Sequence, residues 1–357
     1  MKFSLIQASE LDPEVLRQWL ALRHSNVTSV TNGTYDSPYY HPAFTVIVGH
    51  ARADARVLLC EENNRLTGVW PFHALNAFRA VSIGGFLSDY QGPIRQPSSE
   101  WEMSRVLAAM QCRHFGFNHV PVEFPDFKSH AWIESQSHIL DLTGGYDAYV
   151  QRLSEKRDAS LMKKVATNER KLAKKYGELR FDMQSSDLGD YQALLKGKSQ
   201  QFERTVGAAH DIFRLDWVRQ VLEEIRLAKE PGFTGMLSTL HAGDRLVAAH
   251  FGMRSEKVLH YWFPWYDTTY AEFSPGLVIL AQCAKHAAQL GLTSIDLGRG
   301  DQAYKLRFAT GANALCEGAI SSPAMIAMAQ AGVYRSKQFL KQSSLGQQLR
   351  KLRQAAG

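Results

Sequence analysis

Residues 294–308 read SIDLGRGDQAYKLRF. Within ten of them Asp296, Arg299, Asp301, Tyr304 and Lys305 supply two carboxylates, two cations and a phenol, the groups needed to move a proton and grip an anion. Gly298 and Gly300 let the backbone turn sharply and pass close to a ligand. Asp301 is placed to orient a histidine or an acceptor amine, Tyr304 to protonate a leaving group, and Arg299 and Lys305 to meet a phosphate. The structural alternative is a tight surface turn whose acids pair with the same two cations.

Two histidines are the candidate bases. His250 and His260 each fall in a predicted strand, and an imidazole titrates near neutral pH. The competing account of either is a hydrogen-bonded core residue. A third candidate lies between them and the opening stretch, in FSPGLVILAQCAKHAAQLG. Ser274 is a natural N-cap, Pro275 suits the first helical position, and Gly291 closes the far end. Unpaired N–H groups at such a start suit a phosphate or pyrophosphate, and Gly276 permits close approach. Most helix starts bind only water; this one gains weight from its position beside the strands. Tyr266 and Tyr270, in an aromatic-rich stretch, are candidates to line an acceptor cleft where sugar rings stack, and Asp89 and Tyr90 with Gln91 are candidates to complete it from the first half of the chain.

The elements that position these residues are written twice. Asn64-Arg65-Leu66-Thr67-Gly68-Val69-Trp70 and Asp244-Arg245-Leu246-Val247-Ala248-Ala249-His250 align without a gap at an offset of 180 residues, each at the turn of a probable hairpin. After each come a strand, a loop, a helix and a further strand: near Arg79 to Ile83, from about Ser99, and near His119 to Phe124 in the first half; at Val258 to Phe263, Pro275 to Leu290, and Ser294 to Leu297 in the second. The repeat predicts an α/β protein of α+β mixed-sheet type, made of two lobes over residues 1–150 and 178–320. Residues 151–177 read as a basic amphipathic linking helix, and residues 321–357 as a basic helical tail. Trp70 stands where the second lobe has His250, so the second lobe is expected to be the reactive one.

Composition removes several alternatives. The balance of 45% hydrophobic and 21% charged residues is that of a globular protein. The scattered cysteines Cys60, Cys112, Cys283 and Cys316 suggest neither a metal site nor a disulfide framework. The N-terminus lacks a signal-peptide core and no run reaches a membrane span, which points to a cytoplasmic location. No G-x-G-x-x-G follows an early strand and no phosphate-loop motif occurs, so nicotinamide and ATP chemistry are disfavoured. The net charge of +6 equals the six cations Arg335, Lys337, Lys341, Arg350, Lys351 and Arg353, which follow the last acid, Glu317. Charge gathered in one tail reads first as a solvated basic helix, with an anionic membrane surface or a membrane-associated synthase as the alternative; a globally basic nucleic-acid binder would spread its charge over the body.

The run from His260 through Phe308 resembles the GNAT-like acetyltransferase domain of the CelD family, proteins associated with cellulose and other polysaccharide synthesis. LSDYQGPI at 87–94 and KSQQFERT at 198–205 are similar to further segments of that family. The resemblance implies two tandem GNAT-like lobes arranged as in FemABX transferases, acetyl-CoA or another acyl-CoA as co-substrate, no metal, and acyl transfer to a small-molecule or glycan-precursor acceptor. It implies Ser274, Gly276, Arg299 and Lys305 at the donor, and Asp89, Tyr90, Tyr266, Tyr270 and Asp296 near the acceptor. Ordinary GNAT enzymes write their pyrophosphate loop Q/R-x-x-G-x-G/A, whereas this chain has Ala271-Glu272-Phe273-Ser274-Pro275-Gly276. The departure keeps open an aminoacyl-tRNA donor, the one reading that brings in nucleic acid, and a non-catalytic accessory role.

Overall fold

The duplicated hairpins are present, down to their irregularities. The computed structural model describes residues 1–25, 34–96, 101–156 and 160–342. Strands β2 (Ala55–Glu62) and β3 (Arg65–Ala74) pair antiparallel with a register shift between Cys60 and Glu61. Strands β10 (Phe233–Ala242) and β11 (Arg245–Arg254) do the same with the shift between Leu240 and His241, again 180 residues on. A bulge at the same place in both halves twists both hairpins alike.

In the first half β1 (Lys2–Gln7) leads to α1 (Pro13–Ser25) and α2 (Pro42–Ala51), then to the hairpin. β4 (Arg79–Ser82), β5 (Ile94–Arg95), α3 (Met103–Ala109), β6 (His114–Pro121), α4 (Pro125–Lys128) and β7 (Ala131–Asp141) follow. The strand expected near His119 to Phe124 therefore lies earlier. The expected helix start at Ser99 lies outside the described residues, and the helix itself is the short α3.

The single linking helix is two helices, α5 (Gly145–Lys156) and α6 (Leu161–Tyr176). Each buries its own apolar residues, Tyr149 and Leu153 in the first, Leu161, Val165 and Leu172 in the second. In the second half β8 (Leu179–Asp182), α7 (Leu188–Val206), α8 (Asp216–Leu227) and β9 (Lys229–Glu230) precede β10 and β11. β12 (Val258–Tyr266), α9 (Pro275–Gln289), β13 (Ser294–Arg299), α10 (Ala303–Phe308), β14 (Gly311–Ser321) and α11 (Met325–Gln342) complete the chain. The part of the basic tail beyond Gln342 lies outside the described residues.

The fourteen strands among the described residues belong to one mixed sheet, whose main path runs β1-β2-β3-β4-β6-β14-β7-β13-β12-β11-β10-β8. The crossing between halves is an exchange. β14, from the end of the chain, inserts between β6 and β7 and is antiparallel to both, while β7, from the first half, borders β13 of the second. β7 and β14 are again related by the 180-residue offset.

In each half one parallel pair parts soon after it forms. β4 and β6 pair only from Arg79 to Val81 on the β4 side, and β12 and β13 only from Val258 to His260 on the β12 side. The second-half sheet separates two cores. Tyr191 and Leu194 of α7 pack with Phe251 and Phe263 on one face. Val278, Leu280 and Ala284 of α9 pack with Leu259 and Tyr261 on the other. Helices α7 and α9 thus flank the parted strands from opposite sides.

Candidate active site

Where β12 and β13 separate, a cleft of about 790 Å³ opens. Its walls include Trp262, Trp265 and Tyr266 of β12, Ser274, Gly276 and Leu277 around the start of α9, Gly197, Lys198, Gln201 and Arg204 of α7, and Tyr304 and Lys305 of α10. Asp89 is the contribution of the first half. Because both flanking helices line it, the cleft passes through the gap in the sheet.

The α9 start differs from its expectation in one respect. Ser274 holds the N-cap position but in a left-handed conformation (φ 50°, ψ 52°), and its side chain makes no capping hydrogen bond. Pro275 has no N–H, and the Leu277 and Val278 N–H groups donate to Ser274 O (2.9 and 3.3 Å), so the first turn presents one donor outside these bonds, the Gly276 N–H. A side chain at Gly276 would bring its Cβ within 3.2 Å of Tyr266, narrowing the passage beside that donor.

Asp89 is held with care. Gln91 ties its loop to the end of β6: its backbone N–H donates to His119 O (3.0 Å), its amide nitrogen to Ser88 O (3.1 Å) and Asn118 Oδ1 (2.6 Å), and its amide oxygen accepts from the Asn118 N–H (3.0 Å). Asp89 Oδ2 then lies 3.0 Å from His260 Nε2. His260 Nδ1 is 3.8 Å from Asp296 Oδ1, making a carboxylate, imidazole, carboxylate row across the lobes. Burial pushes the Asp89 carboxyl up, but the His260 ring, with His119 and Lys305, more than offsets this and holds it below the ordinary aspartate range. Asp89 therefore faces the cleft ionised.

Asp296 is a strut. It accepts from Tyr90 Oη (2.6 Å), Ser137 Oγ (2.6 Å) and the Gly298 N–H (2.7 Å). Lys305 Nζ donates to Gly298 O (3.1 Å) and Arg299 O (2.8 Å) from a nearly buried position, pinning the turn from the other side. Gly298 has φ 72°, and a Cβ there would sit 2.8 Å from Asp89 Oδ2. The glycine that turns the strand also makes room for the carboxylate.

The structure brings together Asp89, His260, Asp296, Tyr90, Tyr304 and Lys305, with Ser274, Gly276 and Tyr266 on the same cleft. Burial pushes the Tyr304 phenol up to about 12, so it keeps its proton. Others lie elsewhere. His250 is fully buried, stacked on Tyr261 at 3.9 Å between ring centres, and burial drives its pKa down to about 3. It does not line the cleft. Asp301 is exposed and meets His138 Nε2 at 2.9 Å. Arg299 pairs with Glu317 (3.1 Å), and Tyr270 packs edge-on against Tyr176 in the core.

Lys198, Gln201 and Arg204 are site residues that sequence reasoning did not single out. Lys198 follows Tyr191 and Leu194 at helical spacing, so a cation interrupts the apolar stripe of α7. That interruption was the available signal. Gly197 lets the helix approach, since a Cβ there would overlap the Trp265 indole.

Residues 159–306 match a family model described as an acetyltransferase (GNAT) domain. This stretch contains the parted strands, the α9 start and the lining of the cleft apart from Asp89. It is similar to a GNAT domain. Similar folds cover nearly the whole chain: FemX (TM-score 0.55, 10% identity, 89% of this chain and 96% of that one), and a tandem GNAT protein from the clavulanic acid biosynthesis pathway (0.54, 11%, 90% and 98%). A third is the C-terminal domain of a candidate lysylphosphatidylglycerol synthetase from Agrobacterium fabrum (0.54, 12%, 90% and 96%). No curated protein matches the chain. At these identities the likenesses establish fold: two tandem GNAT-like lobes, with the parted strands of the second forming the GNAT notch.

Proposed function

We propose that the protein is an acyl-CoA-dependent N- or O-acyltransferase acting on a sugar or nucleotide-sugar precursor of a bacterial polysaccharide. The observation that carries this reading is a cleft running through the parted GNAT strands, with the α9 start at one side and the ionised Asp89 of the other lobe facing it. The donor's pyrophosphate rests on the first turn of α9, and its pantetheine arm lies along β12 beyond His260, where that strand has lost its parallel partner. CoA supplies the thioester; the chain supplies orientation and proton transfer. The acceptor's amine or hydroxyl attacks the thioester carbonyl, a C–N or C–O bond forms and the C–S bond breaks. Asp89, oriented by His260, takes the acceptor's proton, and Tyr304 donates one to the departing thiolate. Solvent then restores both groups. Backbone N–H groups of the unpaired β12 segment stabilise the oxyanion. The sugar class rests on the resemblance of LSDYQGPI and the His260 to Phe308 run to polysaccharide-associated proteins, and on Trp262, Trp265 and Tyr266 in the cleft.

Calorimetric titration of the full chain with acetyl-CoA and longer acyl-CoAs tests the reading. Saturable binding that is lost in Gly276→Glu is expected; absence of binding by any acyl-CoA would refute it. A second reading, transfer from aminoacyl-tRNA, is favoured by the basic face of α6, where Lys163, Lys164, Arg170, Lys171 and Lys174 are exposed and Lys175 meets Glu272 beside the α9 start (2.7 Å). On that reading tRNA binds instead, and its affinity falls steeply with salt.

A further inference from the structure

Lys198 is 8% exposed, and the hydrogen bond its ammonium makes is to an uncharged acceptor, Gln201 Oε1, at 2.9 Å. Among the described residues neither Lys198 nor Arg204 has a carboxylate within ion-pair distance. Burial alone pulls the Lys198 pKa down to about 8, with no acid offsetting it. A buried ammonium without a counter-charge is strongly unfavourable unless something completes it. Both side chains line the open cleft, so the missing anion has a route in. They stand on α7, across the sheet from the α9 start, and so on the side away from the donor's pyrophosphate.

We propose that Lys198 and Arg204, supported by Gln201, form the subsite for a phosphate group of the acceptor, so that the substrate is a phosphorylated one such as a nucleoside diphosphate sugar rather than a neutral saccharide. The inference rests on the acyl-transfer reading for the words donor and acceptor; the anion site itself rests on α7. Arg204, exposed at the mouth, captures the phosphate, and Lys198 receives it at depth. The acceptor's nucleophile then lies toward Asp89, in the same cleft.

The test is calorimetry on the full chain saturated with CoA, using inorganic pyrophosphate as probe, with Lys198→Met and Arg204→Gln as variants. Saturable pyrophosphate binding, weakened at least tenfold in each variant while CoA affinity stays within twofold, is the expected result. Pyrophosphate binding that is absent, or equal in wild type and variants, overturns the proposal. So does a tenfold loss of CoA affinity in Lys198→Met that disappears with 3′-dephospho-CoA, which would assign the cations to the donor. Should CoA itself fail to bind, the acyl-transfer reading falls, and variant-sensitive pyrophosphate binding to the free protein still upholds the anion site.

Discussion

Replacing Lys198 by methionine removes a buried charge and keeps an unbranched side chain, so the change isolates what that charge costs the fold. Burial lowers the group from its ordinary 10.5 to about 8. At about 1.4 kcal/mol per tenfold change in proton affinity, the charged form costs about 3 kcal/mol. The sign follows from proton counting. Below the folded pKa both folded and unfolded chains are protonated and the cost is present in full. Between about 8 and 10.5 the unfolded chain holds more protons than the folded one, so wild-type stability rises with pH by this contribution. Urea unfolding of both proteins in an anion-poor buffer measures it. Lys198→Met is expected to be more stable by about 3 kcal/mol near pH 7, and by only about 1.5 kcal/mol near pH 9.5. A gap that does not change with pH, or a less stable variant, would refute the claim that this ammonium is buried without a counter-charge.

Gly298→Ala forces a Cβ into a left-handed turn beside Asp89, at about 1–2 kcal/mol for the backbone alone, so both melting temperature and turnover should fall. Asp89→Asn should keep CoA affinity while slowing transfer by about 10²–10⁴-fold in single-turnover assays; unchanged turnover would remove Asp89 as the base. His250→Phe should keep turnover within a few fold, because the ring is stacked in the core away from the cleft. The same variant should resist acid better: a folded pKa near 3 against an ordinary 6.5 means that wild-type stability is lost as pH falls through that interval, and unfolding midpoints between about pH 6 and pH 4 read the difference.

What could be read from the sequence followed local chemistry. The turns at Asn64 and Asp244, the Pro275 start and the SIDL strand each carry their signal within a few residues, and each is where it was expected. The site was legible in part for the same reason. The glycine-acid-lysine cluster around Gly298 is contiguous, and Asp89 was approached through LSDYQGPI. Three things were hidden because they depend on distant partners. The exchange of β7 and β14 is a pairing choice between residues far apart in the chain, with no local mark. The linker breaks into α5 and α6, which both pack into one core against α9, and that shared packing has no local mark in the sequence. His250 and His260 have alternating strand positions of the same chemical type, and only the cores on the two faces place one at Asp89 and the other against Tyr261. Lys198 carries a local mark, a charge in the apolar stripe of α7, but its burial depends on the packing of that helix against β12.

The exchange of β7 and β14 has a mechanical consequence. With hydrogen-bonded strands passing from one lobe into the other through β6, β14, β7 and β13, the lobes are joined by a continuous sheet as well as by α5 and α6, which stiffens them against swinging like jaws. Tyr266 and Arg204, exposed side chains on the cleft, are then the kind of group that could change its width without any movement of the lobes. On the acyl-transfer reading, a cleft lined from both faces of a stiff sheet would let one substrate stay seated while the other is exchanged, without closure of the protein around them.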